Sequence, residues 1–322
     1  MNLTDDTFVE VIVFAYNQEG LVAEAINSIL QQEVNFSLKI RIHDDASTDK
    51  TVSVAESALQ QSRFEWQIYS QESNQYSKGF QFFSDFVCST KAKYVAFLDG
   101  DDLWTDPRKL QKQFDLLELN EEVVICHHPF GVIRGEDILL EDWRPHHLRG
   151  GNRAGEELAL TNFIGASTVM MRADRLQKVK TANFNKSPVA DYSMWALTAQ
   201  GARIAEISEF MSLYREHDSN IFSGLSPEVR RRRDLISKAF ILANIDKEHQ
   251  EEWLEGILDA ASWHLEVNTL KQELNQLSDQ LNHEKDSNSL LNSELNSLLS
   301  STSWKITSPI RKVVNFFRKP TK

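Results

Sequence analysis

A chain of 322 residues, 41% hydrophobic and 25% charged, has the composition of a globular protein and the length for one large domain or a domain with extensions. Its 47 Asp and Glu against 35 Lys and Arg give a formal net charge of −12, a field that repels nucleic acid, so nucleic-acid binding is not expected. Its two cysteines, Cys88 and Cys126, lack the spacing of a disulfide framework or a zinc site and read as buried thiols in a reducing compartment.

The first segment, MNLTDDTFVEVIVFAYN, has no basic leader and enters an apolar run at once. With no stretch near the roughly 18 apolar residues of a membrane span, the expectation is a cytoplasmic protein. From Val9 to Val124, apolar β-branched runs alternate with helix-like patterns: VEVIVFAY, LVAEAINSILQQ, LKIRIHDD, a helix from about Lys50, FEWQIYS, a helix around Phe80 to Ser89, KYVAFLD, a helix from Pro107, and EVVICHH. This alternation predicts an α/β fold with a mainly parallel, doubly wound sheet. In such sheets ligands lie beyond the carboxyl ends of the strands. Tyr16 and Asn17, then Asp44 and Asp45, then Asp99, Asp101 and Asp102 follow three of the predicted strands and should converge on one edge.

Between about residues 130 and 225 the pattern is less regular, with TNFIGASTVMMR and RIAEISEFMSLYR as expected strands and DYSMWALTAQG as a helix closed by Gly201. This half should complete the domain and shape a second pocket.

Three crowded carboxylates in LDGDD repel one another, and a divalent cation on diphosphate oxygens is one counter-charge that permits their joint ionisation. The alternative is a turn followed by a helix cap, although Asp106-Pro107 already offers a cap. In IHDDASTDKT, Asp49 or Thr48 can cap the next helix, leaving Asp44 and Asp45 either to accept a nucleobase N–H or to form an Asx-turn. His127-His128 and His146-His147 lack ligand spacing, so no zinc site is expected there. Trp104, Trp143 and Trp195 are core residues first, with at most one expected to stack on a sugar.

Taken together, VIVFAYNQEGLVAEAINSILQQ, IHDDASTDKT, SNQYSKG, YVAFLDGDDLWTDPRKL and YREH resemble, in order and spacing, the inverting glycosyltransferases of family 2, which have the GT-A fold. The resemblance covers about residues 8 to 222. It implies that Tyr16 and Phe14 flank the base of a nucleotide-sugar, that Asp45 accepts the base N–H, and that Asp99 lies near the ribose. It also implies that Asp101, the second acid of an Asp-x-Asp motif, binds Mn²⁺ or Mg²⁺ on the diphosphate, with His217 as a further metal ligand. Asp191 stands where the family has its catalytic base, with Ala190 replacing the preceding Glu; the alternative for Asp191 is a helix N-cap. The implied reaction is metal-dependent transfer, with inversion, from a nucleotide-sugar, chiefly a UDP-sugar, to a hydroxyl of a cell-surface glycan or lipid-linked saccharide, as in lipopolysaccharide or capsule assembly. Replacement of that Glu leaves a second reading, an inactive GT-A domain serving as a coiled-coil scaffold. A nucleotidyltransferase would want a glycine-rich basic loop after the first strand, and AYNQEG is not one.

The expected divisions are a catalytic domain at 1–225, a helical extension at 226–262, a coiled coil at 263–301 and a basic tail at 302–322. Arg230 to Arg233, early in the extension, reads as a solvated face. Trp263, Val267, Leu270, Leu274, Leu277, Leu281, Leu291, Leu295 and Leu298 keep a coiled-coil frame, hence an expected homo-oligomer; a helix packed on its own domain gives the same stripe. The tail carries six Lys or Arg from Lys305 onward and no acid, with Ile310, Val313, Val314 and Phe317 on one helical face. It reads as a peripheral membrane contact at the inner face of the cytoplasmic membrane, or as a surface for another subunit.

Overall fold

A computed structural model describes residues 8–217 and 224–259. The expected coiled coil and basic tail lie outside the described residues. The first half alternates as expected: β1 (Phe8–Ala15), α1 (Val22–Leu30), β2 (Ser37–Asp44), α2 (Thr51–Leu59), β3 (Glu65–Ser70), α3 (Gln81–Cys88), β4 (Tyr94–Asp99), a short β5 (Leu103–Trp104), α4 (Lys109–Leu119) and β6 (Val123–His127). The second half is built of shorter pieces: β7 (Gly131–Arg134), β8 (Asp137–Leu139), β9 (Gly151–Ala154), β10 (Met170–Arg172), α5 (Gln177–Thr181), α6 (Ala190–Ala199), β11 (Arg203–Glu206), β12 (Ser212–Glu216) and α7 (Pro227–Leu242).

Eight strands form one sheet in the order β3-β2-β1-β4-β10-β6-β11-β9. The β3-β2-β1-β4 block is parallel, while β10 runs antiparallel to both β4 and β6. Alternation along β1 sends Val9, Val11 and Val13 to the face covered by α1, α2 and α4, and Ile12 to the face covered by α3 and α6. Each such fully buried side chain contributes about 1.5–3 kcal/mol. Glu10, on the Ile12 face, is buried as well because Arg41 meets it at 2.9 Å and in turn donates to Ser89.

A second, four-stranded sheet, β5-β12-β7-β8, was not anticipated. The run expected as one strand from Arg203 breaks at residues 207–211, sending β11 to the large sheet and β12 to the small one. Of TNFIGASTVMMR only Met170–Arg172 is strand, because Ala166–Thr168 coils into a 3-10 turn. Gly201, at φ +65°, closes α6 as its sequence suggested.

Ser226 caps α7 with Pro227 in its first turn. The helix packs on α6, with Phe240 against Phe184, and Trp253 lies near Tyr192 in the same core. The part of the expected helical extension from Ser226 to Leu258 belongs to the same compact unit as the residues before it. Among the described residues no helix is long and apolar enough to cross a membrane.

Candidate active site

Parallel register sets the site. Phe14 stands opposite His43 on β2 and opposite Asp99 on β4, so the ends of three adjacent strands open onto one edge. Two loops at that edge interlock. Asn17 N donates to Ser47 Oγ at 2.9 Å, Gln18 N to Thr51 Oγ1 at 2.7 Å and Glu19 N to Asp49 Oδ2 at 3.1 Å. In the reverse direction Thr48 N donates to Asn17 Oδ1 at 2.8 Å and Lys50 N to Glu19 Oε2 at 2.9 Å. Asp49 also accepts from Thr51 N, the first residue of α2, but from the position before the N-cap, which is Lys50 and not Asp49 or Thr48.

Tyr16 leaves this interlock 47% exposed. Phe14 does not: its ring lies 4.8 Å from Phe83 and 5.6 Å from His43, within an aromatic cluster beneath the edge. Asp45 is buried, and its two oxygens accept from the backbone N–H groups of Gln75 (2.5 Å) and Tyr76 (3.1 Å), drawing the loop 71–79 over the strand ends. Each oxygen keeps lone-pair capacity for a further donor. Asp44 takes the turn role, accepting from Ser47 N at 3.2 Å.

After β4 the chain turns sharply. Gly100 N donates to Phe14 O at 2.9 Å, and a Cβ at Gly100 would meet Gln18 Oε1 at 2.4 Å, so only glycine passes there without displacing that side chain. Asp101 Oδ2 then lies 2.9 Å from Nε2 of His217, at the end of β12. Asp102 is buried and turns inward, accepting from Arg215 N at 3.0 Å. Asp106 accepts from Arg108 N at 2.7 Å, but Arg108 and not Asp106 is the N-cap of α4, which starts at Lys109, so Pro107 lies before the helix and not at its first position.

Asp191 sits in the first turn of α6, after Val189 and Ala190, so it is not the N-cap; its Oδ1 accepts from Tyr192 N at 2.7 Å. The acids feel one another. Burial pushes the Asp99 carboxyl up to about 7, and the charges of Asp101 and Asp191 push the same way. Burial also raises Asp102 well above the carboxylate range, aided by Asp99 and Asp101 and opposed by the Arg215 N–H. Asp191 is raised by burial, against the pull of backbone N–H groups at Tyr192 and at Asp191 itself. Asp99, Asp101 and Asp191 thus converge on one region from β4 and α6.

Asp101 offers a carboxylate oxygen, which suits Mn²⁺ or Mg²⁺, and His217 an imidazole nitrogen 2.9 Å from it, which suits Mn²⁺ better than the oxygen-seeking Mg²⁺. Among the described residues no group of three or more His, Cys, Asp or Glu side chains is placed to hold a metal ion. The residues present therefore fit a cation whose remaining positions go to diphosphate oxygens and water, the usual manner of Mg²⁺. His127 and His128 are buried in the core, and His146 and His147 open an exposed 3-10 turn. Trp195 and Trp104 are buried, the latter donating to Ser167 O at 2.8 Å, whereas Trp143 is 53% exposed beside Phe130.

A model of the family described as Glycosyl transferase family 2 matches residues 10–176, which span β1 through β10 and the carboxylate loop. The chain belongs to glycosyl transferase family 2. It is a glycosyltransferase. Among related sequences, the uncharacterized protein Rv1520 of Mycobacterium tuberculosis is 28% identical over 258 residues, 79% of this chain and 72% of the relative. The Escherichia coli UDP-Glc:alpha-D-GlcNAc-diphosphoundecaprenol beta-1,3-glucosyltransferase WfgD is 25% identical over 240 residues, 72% of this chain and 86% of the relative. Among solved structures, the mannosyltransferase PcManGT of Pyrobaculum calidifontis, in complex with GDP-Man and Mn2+, superposes with a TM-score of 0.64 at 17% identity, covering 95% of this chain and 83% of that one. The expected GT-A architecture is thereby met: the sheet is mixed but mainly parallel, with β10 and β9 alone among its eight strands running against the rest.

Proposed function

We propose that this family 2 enzyme is a metal-dependent, inverting glycosyltransferase that moves a sugar from a UDP-sugar to a hydroxyl of a lipid-linked saccharide in cell-surface glycan assembly, at the inner face of the cytoplasmic membrane. The observation that carries the reading is the meeting of Asp101 with His217, 116 residues apart in sequence, beside Asp99 at the end of β4 and Asp191 in the first turn of α6. WfgD, named for a UDP-glucose donor and a diphosphoundecaprenol acceptor, supports the donor and acceptor classes. PcManGT, solved with a nucleotide-sugar and Mn2+, supports the cation.

In this reading Tyr16 stacks on the base, with Phe14 supporting the platform from below, and Asp45 uses its spare lone pair on the base N–H. Asp99 faces the ribose. Asp101 and His217 hold Mn²⁺ or Mg²⁺, which when bound supplies Lewis-acid stabilisation of the departing diphosphate. Asp191 accepts the proton of the acceptor hydroxyl as that oxygen bonds to the anomeric carbon and the bond to the nucleoside diphosphate breaks on the opposite face. Inversion follows from that single displacement, with no covalent enzyme intermediate. Burial makes Asp191 a stronger base than a free carboxylate, and general-base assistance contributes on the order of 10²–10⁴-fold.

Asp191→Asn is accordingly expected to lower transfer by about that factor while the affinity for UDP with Mn²⁺ stays within about twofold. Turnover retained in the Asn variant would remove Asp191 from the mechanism.

A further inference from the structure

We infer that Arg215 is a positioning residue that sets the distance between Asp101 and His217 and ties it to α1. The inference rests on the proposed role of Asp101 and His217 as metal ligands.

β12 pairs with β5 only at Ser212 with Trp104 and Leu213 with Leu103. Where that backbone ladder stops, a side chain takes over: Arg215 N donates to Asp102 Oδ1 at 3.0 Å. The guanidinium of the same residue turns back on the loop, Nε donating to the backbone O of Asp101 at 3.1 Å. Its other end reaches Glu24 on α1, Nη2 to Oε2 at 2.5 Å. One residue thus grips both acids of the carboxylate loop, by main chain and side chain, and anchors them to the helix that follows the Tyr16 loop.

His217 lies two residues further on, Nε2 at 2.9 Å from Asp101 Oδ2. Asp101 and His217 come from elements that share no ladder at this point, so their spacing depends on how the end of β12 is held against the loop. A planar guanidinium with fixed donors holds such a geometry better than a flexible ammonium. The Asp102 carboxyl also finds its purpose here. It is buried, takes the Arg215 N–H and a hydrogen bond from Ser167, and so braces β12 instead of facing the donor.

Groups that orient metal ligands typically change metal affinity by 10–100-fold when removed. Arg215→Ala is therefore expected to weaken Mn²⁺ binding to the nucleotide-loaded protein by about that factor, measured on the full chain by counting free Mn²⁺ with electron paramagnetic resonance. The nucleotide is UDP, or GDP where UDP shows no Mn²⁺-dependent binding. Nucleotide affinity in EDTA, measured by calorimetry, should not move. Arg215→Lys should fall between. Glu24→Ala, on a side chain 56% exposed, should cost about two- to fivefold, and combining it with Arg215→Ala should add nothing, because both remove one link.

Equal losses of nucleotide binding with and without Mn²⁺, or additive Glu24 and Arg215 effects, would show a merely structural residue and overturn the inference. Should Arg215→Ala fail to fold, Glu24→Ala carries the same comparison. His217→Ala separates the two levels. If it abolishes the Mn²⁺ increment while Arg215→Ala leaves it intact, the positioning role alone is wrong; if it changes nothing, the ligand reading falls and takes this inference with it.

Discussion

Replacing Lys109 with methionine is expected to stabilise the protein at neutral pH and to flatten part of its pH dependence. The ammonium is fully buried at the start of α4, with Nζ 2.7 Å from Gln113 Oε1 and 4.1 Å from the centroid of the Trp104 ring. Burial pushes its pKa down from 10.5 to about 7, with only the neighbouring Cys126 acting the other way. At about 1.36 kcal/mol per pH unit, charging this group inside the fold costs roughly 4–5 kcal/mol. The folded pKa lies below the unfolded one, so the cost vanishes above about pH 10.5, grows as pH falls, and is nearly complete at pH 7. Methionine removes it but leaves Gln113 Oε1 without its donor, at about 1–3 kcal/mol. The net gain at pH 7 is then roughly 1–4 kcal/mol. Urea denaturation of both proteins at pH 7, 8 and 9 measures the difference, which should shrink by up to about 1.4 kcal/mol per pH unit as pH rises. A difference that is constant across this range would refute the buried-ammonium argument.

Asp45→Ala strips two backbone N–H groups of their acceptor and should cost about 1–3 kcal/mol in denaturant unfolding, with increased amide hydrogen exchange at Gln75 and Tyr76. Gly155→Ala would place a Cβ 2.0 Å from Ala199 O at the end of α6, and should lower stability by about 1–3 kcal/mol or more by thermal unfolding, since a backbone atom cannot swing aside.

The parts of the site written at the ends of long parallel strands were legible in the sequence. β1 and β4 are largely apolar runs and β2 alternates Leu38, Ile40 and Ile42 with polar residues, so their carboxyl ends, and with them Tyr16, Asp45 and Asp99, could be placed on one edge. The small sheet was not legible, because β5, β7 and β8 are two to four residues long and mix exposed with buried positions, too short for any periodicity to stand out. For that reason the partner of Asp101 could be named only from YREH, and Arg215, the residue before Glu216 in the same motif, passed unnoticed. Nor could the pattern show that the Asp45 oxygens are already engaged, since their donors are backbone groups 30 and 31 residues away. The setting of Phe14 was hidden for a related reason. An aromatic at a strand end looks the same whether it faces solvent, as Tyr16 does, or a neighbouring aromatic cluster.

Five backbone hydrogen bonds that link the loop after β1 with the loop after β2 have a consequence for protein engineering. Every donor in them is a backbone N–H, and every acceptor is a side chain on the opposite loop. Each loop's path is therefore encoded in the other loop's residues. A graft that swaps residues 16–20 alone, aiming to change which base is read, would leave Ser47, Asp49 and Thr51 facing a backbone they were not matched to. Residues 16–20 and 45–51 form one transplantable cassette, and base preference should move between relatives only when both halves travel together.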